Sequence, residues 1–247
     1  MSVNRQQAMK PLLYLPASAP LPEADILGAV QAIVFDATDG NGVRDMAPEM
    51  PPARAASWLR LVRVGPVENI TEADLDRVLA SEIDGIVLAG CRGPADVQKL
   101  DVLLRVSESI AGIAAGSVAI LAEYATTPQS VLSPHSLQGA SPRLKGLIFS
   151  AALLAESAGC ALPAEELDTA PVIVAGRAAA VLRAREAGIA AYDMLPGDAN
   201  DEAAVRRYCA TSARNGFSAM VAQSPRQVAL LDVSAPPSAR PAAGGDR

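Results

Sequence analysis

The chain has 247 residues, of which half are apolar, so it can bury a large core as one large domain or two small ones. Aromatic residues make up only 3%, which predicts a core of aliphatic strands and alanine-rich helices. The formal net charge of -6 argues against binding to nucleic acid or to anionic membranes, because both need a basic surface.

Eight short apolar runs recur along the chain, and each predicts a β-strand. They lie at residues 11–16, 32–37, 58–64, 84–90, 118–124, 144–150, 189–195 and 218–224. Helical patterns lie between them, at residues 71–82, 93–112, 177–188 and 201–216. Thr71 is the predicted N-cap of the first helix, and Gly216 is the predicted stop of the last. Residues 171–176 fit either a strand or the beginning of the third helix, and we favour the helix.

This alternation predicts a (β/α)8 TIM barrel, for which about 250 residues is a typical length. We expect one barrel domain over residues 1–234 and a disordered tail at residues 235–247, which are rich in Pro, Ala and Gly. A doubly wound open sheet is the alternative fold. The glycine-rich signatures of nucleotide-binding folds, G-x-G-x-x-G and G-x-x-x-x-G-K-[ST], are absent from the sequence.

The three cysteines have no metal-ligand spacing, which favours reduced thiols in a cytoplasmic protein. The first twenty residues lack the apolar centre of a signal peptide, and no run is long and apolar enough to predict a membrane span. We therefore expect a cytoplasmic location and no membrane partner.

In a barrel, the candidate site lies at the carboxyl ends of the strands. The second predicted strand ends in Asp36, with Asp39 three residues later; the third carries Arg63, and the fifth ends near Glu123. These residues have two interpretations. Asp36 and Asp39 are either site residues or turn formers, and Arg63 with Glu123 is either a ligand site or a structural salt bridge.

Two further polar residues favour structural interpretations. Asp193 precedes Pro196 and Gly197, which is typical of a turn. His135 is the only histidine and falls in a predicted helical surface segment. Acid–base chemistry would therefore fall to carboxylates, or to a metal ion that they hold.

Several motifs resemble, in the same order, those of the HpcH/HpaI aldolase and citrate lyase beta-subunit family. "KPLLYLPAS" resembles the family's R-S-x-L-F-V-P-G, and "AIVFDATDGN" resembles V-I-L-D-L-E-D-A-V. "LVRVGP" resembles V-R-V-N-P, and "SPRLKGLIFSAALLAESAG" resembles S-P-R-V-x-G-L-x-F-G-A-E-D-L-A-x-x-L-G.

The resemblance implies a (β/α)8 barrel that assembles as a homotrimer or hexamer. It also implies cleavage or formation of carbon–carbon bonds in 3-hydroxy acids or their CoA thioesters, through an enolate stabilised by Mg²⁺. By position, Glu123 would be the first metal ligand and Arg63 would bind the substrate carboxylate. Asp36 and Asp39 match acids that support the site, and Ser224, which replaces the His of H-P-x-Q, is a candidate substrate contact.

The chain also departs from the family pattern. Residues typical of the family site are replaced by Thr38, Gly90, Ala152, Leu153 and Met220. Leu153 stands where the second metal ligand is expected, and Mg²⁺ held by Glu123 alone would bind weakly unless Asp36, Asp39 or the substrate completes its shell. Two functions stay open: a divergent carbon–carbon lyase or aldolase, and a non-catalytic barrel. The second would bind an acyl-CoA or small carboxylic acid, or serve as a subunit of a larger assembly.

Overall fold

The computed structural model of the protein describes residues 10–38, 57–160 and 170–234. Eight parallel strands close into a barrel in chain order, and the pairing of Leu12 with Val221 closes the ring. The strands are β1 (Leu12–Pro16), β2 (Ala32–Asp36), β3 (Leu59–Val64), β4 (Gly85–Cys91), β5 (Ala119–Tyr124), β6 (Leu144–Phe149), β7 (Ala190–Met194) and β8 (Ala219–Ala222). The predicted (β/α)8 fold is confirmed, whereas the predicted tail at 235–247 lies outside the described residues.

The described helices surround the barrel. They are α1 (Ala24–Ala29), α2 (Glu72–Ala80), α3 (Pro94–Ala111), α4 (Pro128–Val131), α5 (Ala151–Ser157), α6 (Pro171–Ala187), α7 (Glu202–Asn215) and α8 (Pro225–Ser234). Thr71 forms the predicted cap of α2, where its side chain accepts a hydrogen bond from Asp74 N, and Gly216 ends α7 in a left-handed conformation. Within the described ranges, no helix is both long and apolar enough to cross a bilayer.

The structure resolves one ambiguous segment of the sequence and corrects one predicted helix. Residues 171–176 belong to α6: Pro171 suits the first turn of a helix, and α6 as a whole packs against β6 and β7. The predicted helical segment around His135 is wrong: this residue lies in an irregular, exposed connection between α4 and β6.

Strand alternation decides which side chains reach the barrel interior. Leu12, Val34, Leu61 and Leu121 belong to one cluster inside the barrel, together with Tyr192 of β7. The residues two positions later on β1, β2, β3 and β5 share that inward direction, at the carboxyl ends of the strands. The backbone thus aims four polar side chains at the mouth: Tyr14, Asp36, Arg63 and Glu123.

The inward ring of Tyr192 lies against the backbone of the neighbouring strand at Gly146. A Cβ atom added at Gly146 would lie 2.7 Å from Cε2 of that ring, which is closer than real Cβ atoms approach. Gly146 therefore provides the space in the barrel interior that the Tyr192 ring occupies.

Candidate active site

Arg63 and Glu123 form a bidentate ion pair at the mouth of the barrel. Arg63 Nε donates to Glu123 Oε1 at 2.7 Å, and Nη2 donates to Oε2 at 2.8 Å. The Tyr14 hydroxyl donates to the same Oε1 at 3.1 Å. Glu123 is only 1% exposed, so these three donors provide the hydrogen bonds that a buried carboxylate needs.

The other edge of the Arg63 guanidinium faces β2. Nη1 lies 3.0 Å from Asp36 Oδ2, 3.1 Å from Asp36 Oδ1 and 3.0 Å from Thr38 Oγ1. Thr38 also donates its hydroxyl and its backbone N–H to Asp36 Oδ1. A guanidinium has five N–H donors, so this arrangement leaves one Nη2 hydrogen without a partner among the described residues.

The surroundings keep the Arg63 guanidinium and the Tyr14 hydroxyl protonated. Burial lowers the pKa of Arg63, but its hydrogen bonds to Glu123 and the charges of Glu123 and Asp36 outweigh that effect and raise it. Burial, together with the negative charge of Glu123, raises the pKa of Tyr14 well above its usual value. Tyr14 therefore remains a hydrogen-bond donor over the physiological pH range.

A cavity of about 310 Å³ opens beside this network. Its wall includes Arg63 and Glu123, together with Gly90, Thr126, Thr127, Leu153, Glu156 and Ser157. Leu153 and Glu156 are three positions apart on α5, so they share one face of that helix. The volume suits a small ligand or one end of a larger one.

The donor set at the mouth does not fit an Mg²⁺ ion held by the protein alone. Both oxygens of Glu123 accept hydrogen bonds from Arg63, and the apolar Leu153 occupies the place expected for a second ligand. Within residues 10–38, 57–160 and 170–234, no three His, Cys, Asp or Glu side chains are grouped so that they could hold a metal ion.

The structure brings three of the predicted site residues together, namely Asp36, Arg63 and Glu123. Ser224 lies instead at the start of α8, where its Oγ accepts a hydrogen bond from Gln227 N, and it is not among the described residues of the cavity wall. Asp39 lies outside the described residues. The roles of all five residues in binding or catalysis stay predictions.

Asp193 corrects the turn interpretation. It is a buried residue of β7 that pairs with Arg177 of α6 and accepts a hydrogen bond from Ser212 Oγ of α7 at 2.6 Å. Because the neighbouring Tyr192 points into the barrel, Asp193 points outward to the helices and takes no part in the mouth.

The sequence-based search missed Tyr14 and Glu156. Tyr14 could have been found from strand phase, since it lies two residues after the inward Leu12 of β1. Glu156 could have been found from helical phase, since it lies one turn after Leu153.

A (β/α)8 barrel with an arginine and two acids at its mouth has its polar groups where barrel enzymes place their active sites. A family model for HpcH/HpaI aldolase/citrate lyase matches residues 11–225. The chain therefore belongs to the HpcH/HpaI aldolase/citrate lyase family, as the motifs indicated.

Citrate lyase beta subunits are among the similar proteins of this family. The chain is 28% identical to the Haemophilus influenzae subunit over 172 residues, which cover 69% of this chain and 57% of that protein. It is 26% identical to the Escherichia coli K12 subunit over 239 residues, which cover 92% and 77%. The chain thus spans little more than half the length of the first relative and about three quarters of the second.

Solved structures share the fold at lower identity. RipC from Yersinia pestis has a TM-score of 0.68 at 21% identity, covering 94% of this chain and 96% of that one. CitE from Mycobacterium tuberculosis, in complex with magnesium, acetoacetate and coenzyme A, has a TM-score of 0.70 at 20% identity, covering 95% and 83%. These similarities establish the barrel architecture.

Proposed function

We propose that the protein is a lyase of this family that acts at the barrel mouth on a small 3-hydroxy acid or its CoA thioester. The observation that carries the proposal is the Arg63 guanidinium, held by Glu123 and Asp36 beside a 310 Å³ cavity at the strand ends. CitE from Mycobacterium tuberculosis, which is described with acetoacetate and coenzyme A, supports a small carboxylic acid or a CoA thioester as the ligand.

The residues of the mouth suit the charge changes of such a cleavage. When the carbon–carbon bond of a 3-hydroxy acid breaks, the hydroxyl proton leaves to a base and the bonding electron pair moves toward the acyl carbonyl oxygen. Arg63 would bind that oxygen through its remaining Nη2 hydrogen, and its positive charge would stabilise the charge that develops there. Glu156 would take the proton, because within the described part of the chain no basic side chain pairs with this carboxylate of the cavity wall.

Mg²⁺ was expected from the family resemblance, and CitE from Mycobacterium tuberculosis is described with magnesium. In this chain Glu123 is retained and Leu153 replaces the second ligand. We therefore assign no step of the reaction to a metal ion.

The proposal is tested by incubating the purified protein with a panel of 3-hydroxyacyl-CoA thioesters and separating the products by chromatography. We expect a shorter acyl-CoA and a carbonyl product, and a loss of ~100-fold in kcat/KM for Arg63→Met. Arg77→Met on the exposed surface of α2 is the matched control and should retain full activity. Cleavage by Arg63→Met at the rate of the unmodified protein would exclude this site.

The second candidate function is binding of an acyl-CoA or small acid without turnover. It is favoured by Leu153 in the cavity wall and by the four N–H groups of Arg63 that are already engaged. Calorimetric titration with acetoacetate and with coenzyme A tests it: saturable heat without cleavage of any thioester favours this function over the first.

A further inference from the structure

Glu123 accepts three hydrogen bonds from groups of the protein itself, which leaves one of the roughly four lone-pair sites of a carboxylate, on Oε2, without a described donor. Oε1 accepts from Arg63 Nε and from the Tyr14 hydroxyl, and Oε2 accepts from Arg63 Nη2. A magnesium ligand must direct a lone pair at an ion about 2.0–2.1 Å away, and on Glu123 only the remaining site on Oε2 could do so. That ion would lie next to a guanidinium whose donor nitrogens are 2.7 and 2.8 Å from the same carboxylate, and the two cations would repel each other.

Nothing described in the cavity wall compensates for that repulsion. Leu153 contributes only apolar atoms, and Asp36 directs its oxygens to Arg63 and Thr38. Glu156 begins one helical turn beyond Leu153, about 4.5 Å further along α5, and its side chain is exposed. A divalent ion would find one carboxylate that is already neutralised, and the other carboxylate of the described wall, Glu156, is exposed to solvent.

Tyr14 gives the arrangement its rigidity. It belongs to a strand of the barrel, its ring packs against the interior cluster, and its hydroxyl reaches Glu123 on β5. Arg63 on β3 and Asp36 on β2 complete a chain of contacts from β1 to β5. Glu123 is thus fixed from two directions before any ligand arrives.

We infer that Glu123 is a positioning residue, fixed by Arg63 and Tyr14 as the counter-ion of the guanidinium, and that this mouth binds its ligand without a divalent metal ion. The inference holds for either function proposed above, because it concerns how Arg63 is presented and not whether a bond is cleaved.

The first test measures metal binding without any substrate. Mn²⁺ is added to the purified protein, and the free ion is counted by its electron paramagnetic resonance signal. We expect the signal to equal that of Mn²⁺ in buffer. Uptake of about one Mn²⁺ per chain that Glu123→Gln abolishes would overturn the inference.

Two substitutions at the missing ligand show that the assay can detect a site. Leu153→Asp adds a carboxylate, whereas Leu153→Asn adds a neutral group of the same shape. We expect Leu153→Asp to bind Mn²⁺ more tightly than Leu153→Asn does. If Leu153→Asn and the unmodified protein bind Mn²⁺ as tightly as Leu153→Asp, position 153 is irrelevant to metal binding and the inference fails.

The second test measures the positioning role by titrating coenzyme A or acetoacetate in the presence of EDTA. We expect the chelator to leave the affinity of the unmodified protein unchanged. Glu123→Gln should weaken it by ~10-fold, because a charged hydrogen-bond partner of Arg63 is lost, and Tyr14→Phe should weaken it less. Glu123→Asp should restore part of the affinity, and thermal melts confirm that each variant is folded.

The results separate this inference from the proposed lyase function. Absence of thioester cleavage would reject the lyase but leave the metal-free mouth intact. Affinity that EDTA abolishes and Mg²⁺ restores would reject the metal-free mouth but leave the lyase intact.

Discussion

Arg143 and Glu108 form a bidentate ion pair at the end of the barrel opposite the mouth. Arg143 Nη1 and Nη2 each lie 2.6 Å from an oxygen of Glu108, and Arg143 Nε lies 2.7 Å from Asp101 Oδ1. All three side chains are buried, and they tie α3 to the residue that precedes β6. Because polar groups at this face of a barrel support stability, we assign this cluster a structural role.

Removing the guanidinium should destabilise the fold strongly. We predict that Arg143→Met lowers the free energy of unfolding by about 3–5 kcal/mol, because it leaves the buried Glu108 without its cation and leaves Asp101 with Arg105 alone. Lys145→Met, two residues later on β6, is the matched control: Lys145 is exposed, and its loss should change stability by less than about 0.5 kcal/mol. Urea denaturation measures both, and equal effects would contradict the structural role.

The same cluster predicts how stability depends on pH. Burial raises the pKa of Glu108, but hydrogen bonds from Arg143 and from the backbone of Gly116 and Val118 outweigh it and leave the pKa below its usual value. The stabilisation is therefore complete above the pKa of a glutamate in the unfolded chain, ~4.3, and is lost as the pH falls through the lower pKa of the folded state. We predict that the stability difference between the unmodified protein and Glu108→Gln is largest near neutral pH and shrinks in acid. A difference that stays constant down to the acid transition would contradict this.

The two carboxylates that flank Arg63 should contribute unequally to stability. Glu123 is 1% exposed, whereas the side chain of Asp36 is 37% exposed and screened by solvent. We predict that Glu123→Gln lowers the free energy of unfolding by about 1.5–3 kcal/mol and that Asp36→Asn lowers it by about 1 kcal/mol or less. Urea denaturation of the two variants measures both losses in the free energy of unfolding. A larger loss for Asp36→Asn than for Glu123→Gln would contradict the prediction.

Cys91 should be unreactive in the folded protein. Its thiol is 1% exposed, and burial raises its pKa to about 12, so little thiolate forms at pH 8. We predict that Ellman's reagent labels the partly exposed Cys160 before Cys91, and that Cys91 reacts only after unfolding. The variant Cys91→Ala should show the same number of fast-reacting thiols and one fewer in urea. Loss of a fast-reacting thiol in that variant would contradict the prediction.

The expected trimer or hexamer is a further prediction. It follows from the family resemblance. In the apolar run of residues 227–233, Val228 is buried and Leu230 and Leu231 are partly buried within the chain's own core, so these three side chains offer little free apolar surface. Among the described residues, three of the large exposed aliphatic side chains lie along α3 at helical spacing, at Val102, Val106 and Ile110; the others are Leu59, Leu132, Val174 and Leu182. We expect light scattering at micromolar concentration to give three or six times 25.4 kDa. A mass of one chain would contradict it.

The sequence predicted the strands well because each strand coincides with a short apolar run. The convergence of Asp36, Arg63 and Glu123 also followed, since the carboxyl ends of parallel strands meet at one edge. The sequence did not predict whether a polar side chain near a strand end points into the barrel or outward to the helices. Asp193 lies near the carboxyl end of its strand, as Asp36 does, but it is one residue out of phase with the inward side chains and pairs with Arg177 behind the barrel.

Tyr14 and Ser224 show two other limits. The hydroxyl of Tyr14 is hidden in the sequence by an apolar neighbourhood, and its contact with Glu123 spans 109 residues. Ser224 was placed at the site by its position in a motif. Its side chain instead accepts a local hydrogen bond in the first turn of α8, which is a frequent role of serine at that position.

We expect positions 146 and 192 to covary in evolution. Because the ring of Tyr192 occupies the space that a Cβ at Gly146 would need, neither position can drift alone toward a larger side chain. A descendant with alanine at 146 should carry a smaller residue at 192, and the order of the two changes matters. Shrinking residue 192 first leaves a cavity, whereas enlarging residue 146 first forces the strands apart. The tolerated intermediate should therefore be the variant with an internal cavity, so that a smaller residue at position 192 precedes any change at position 146.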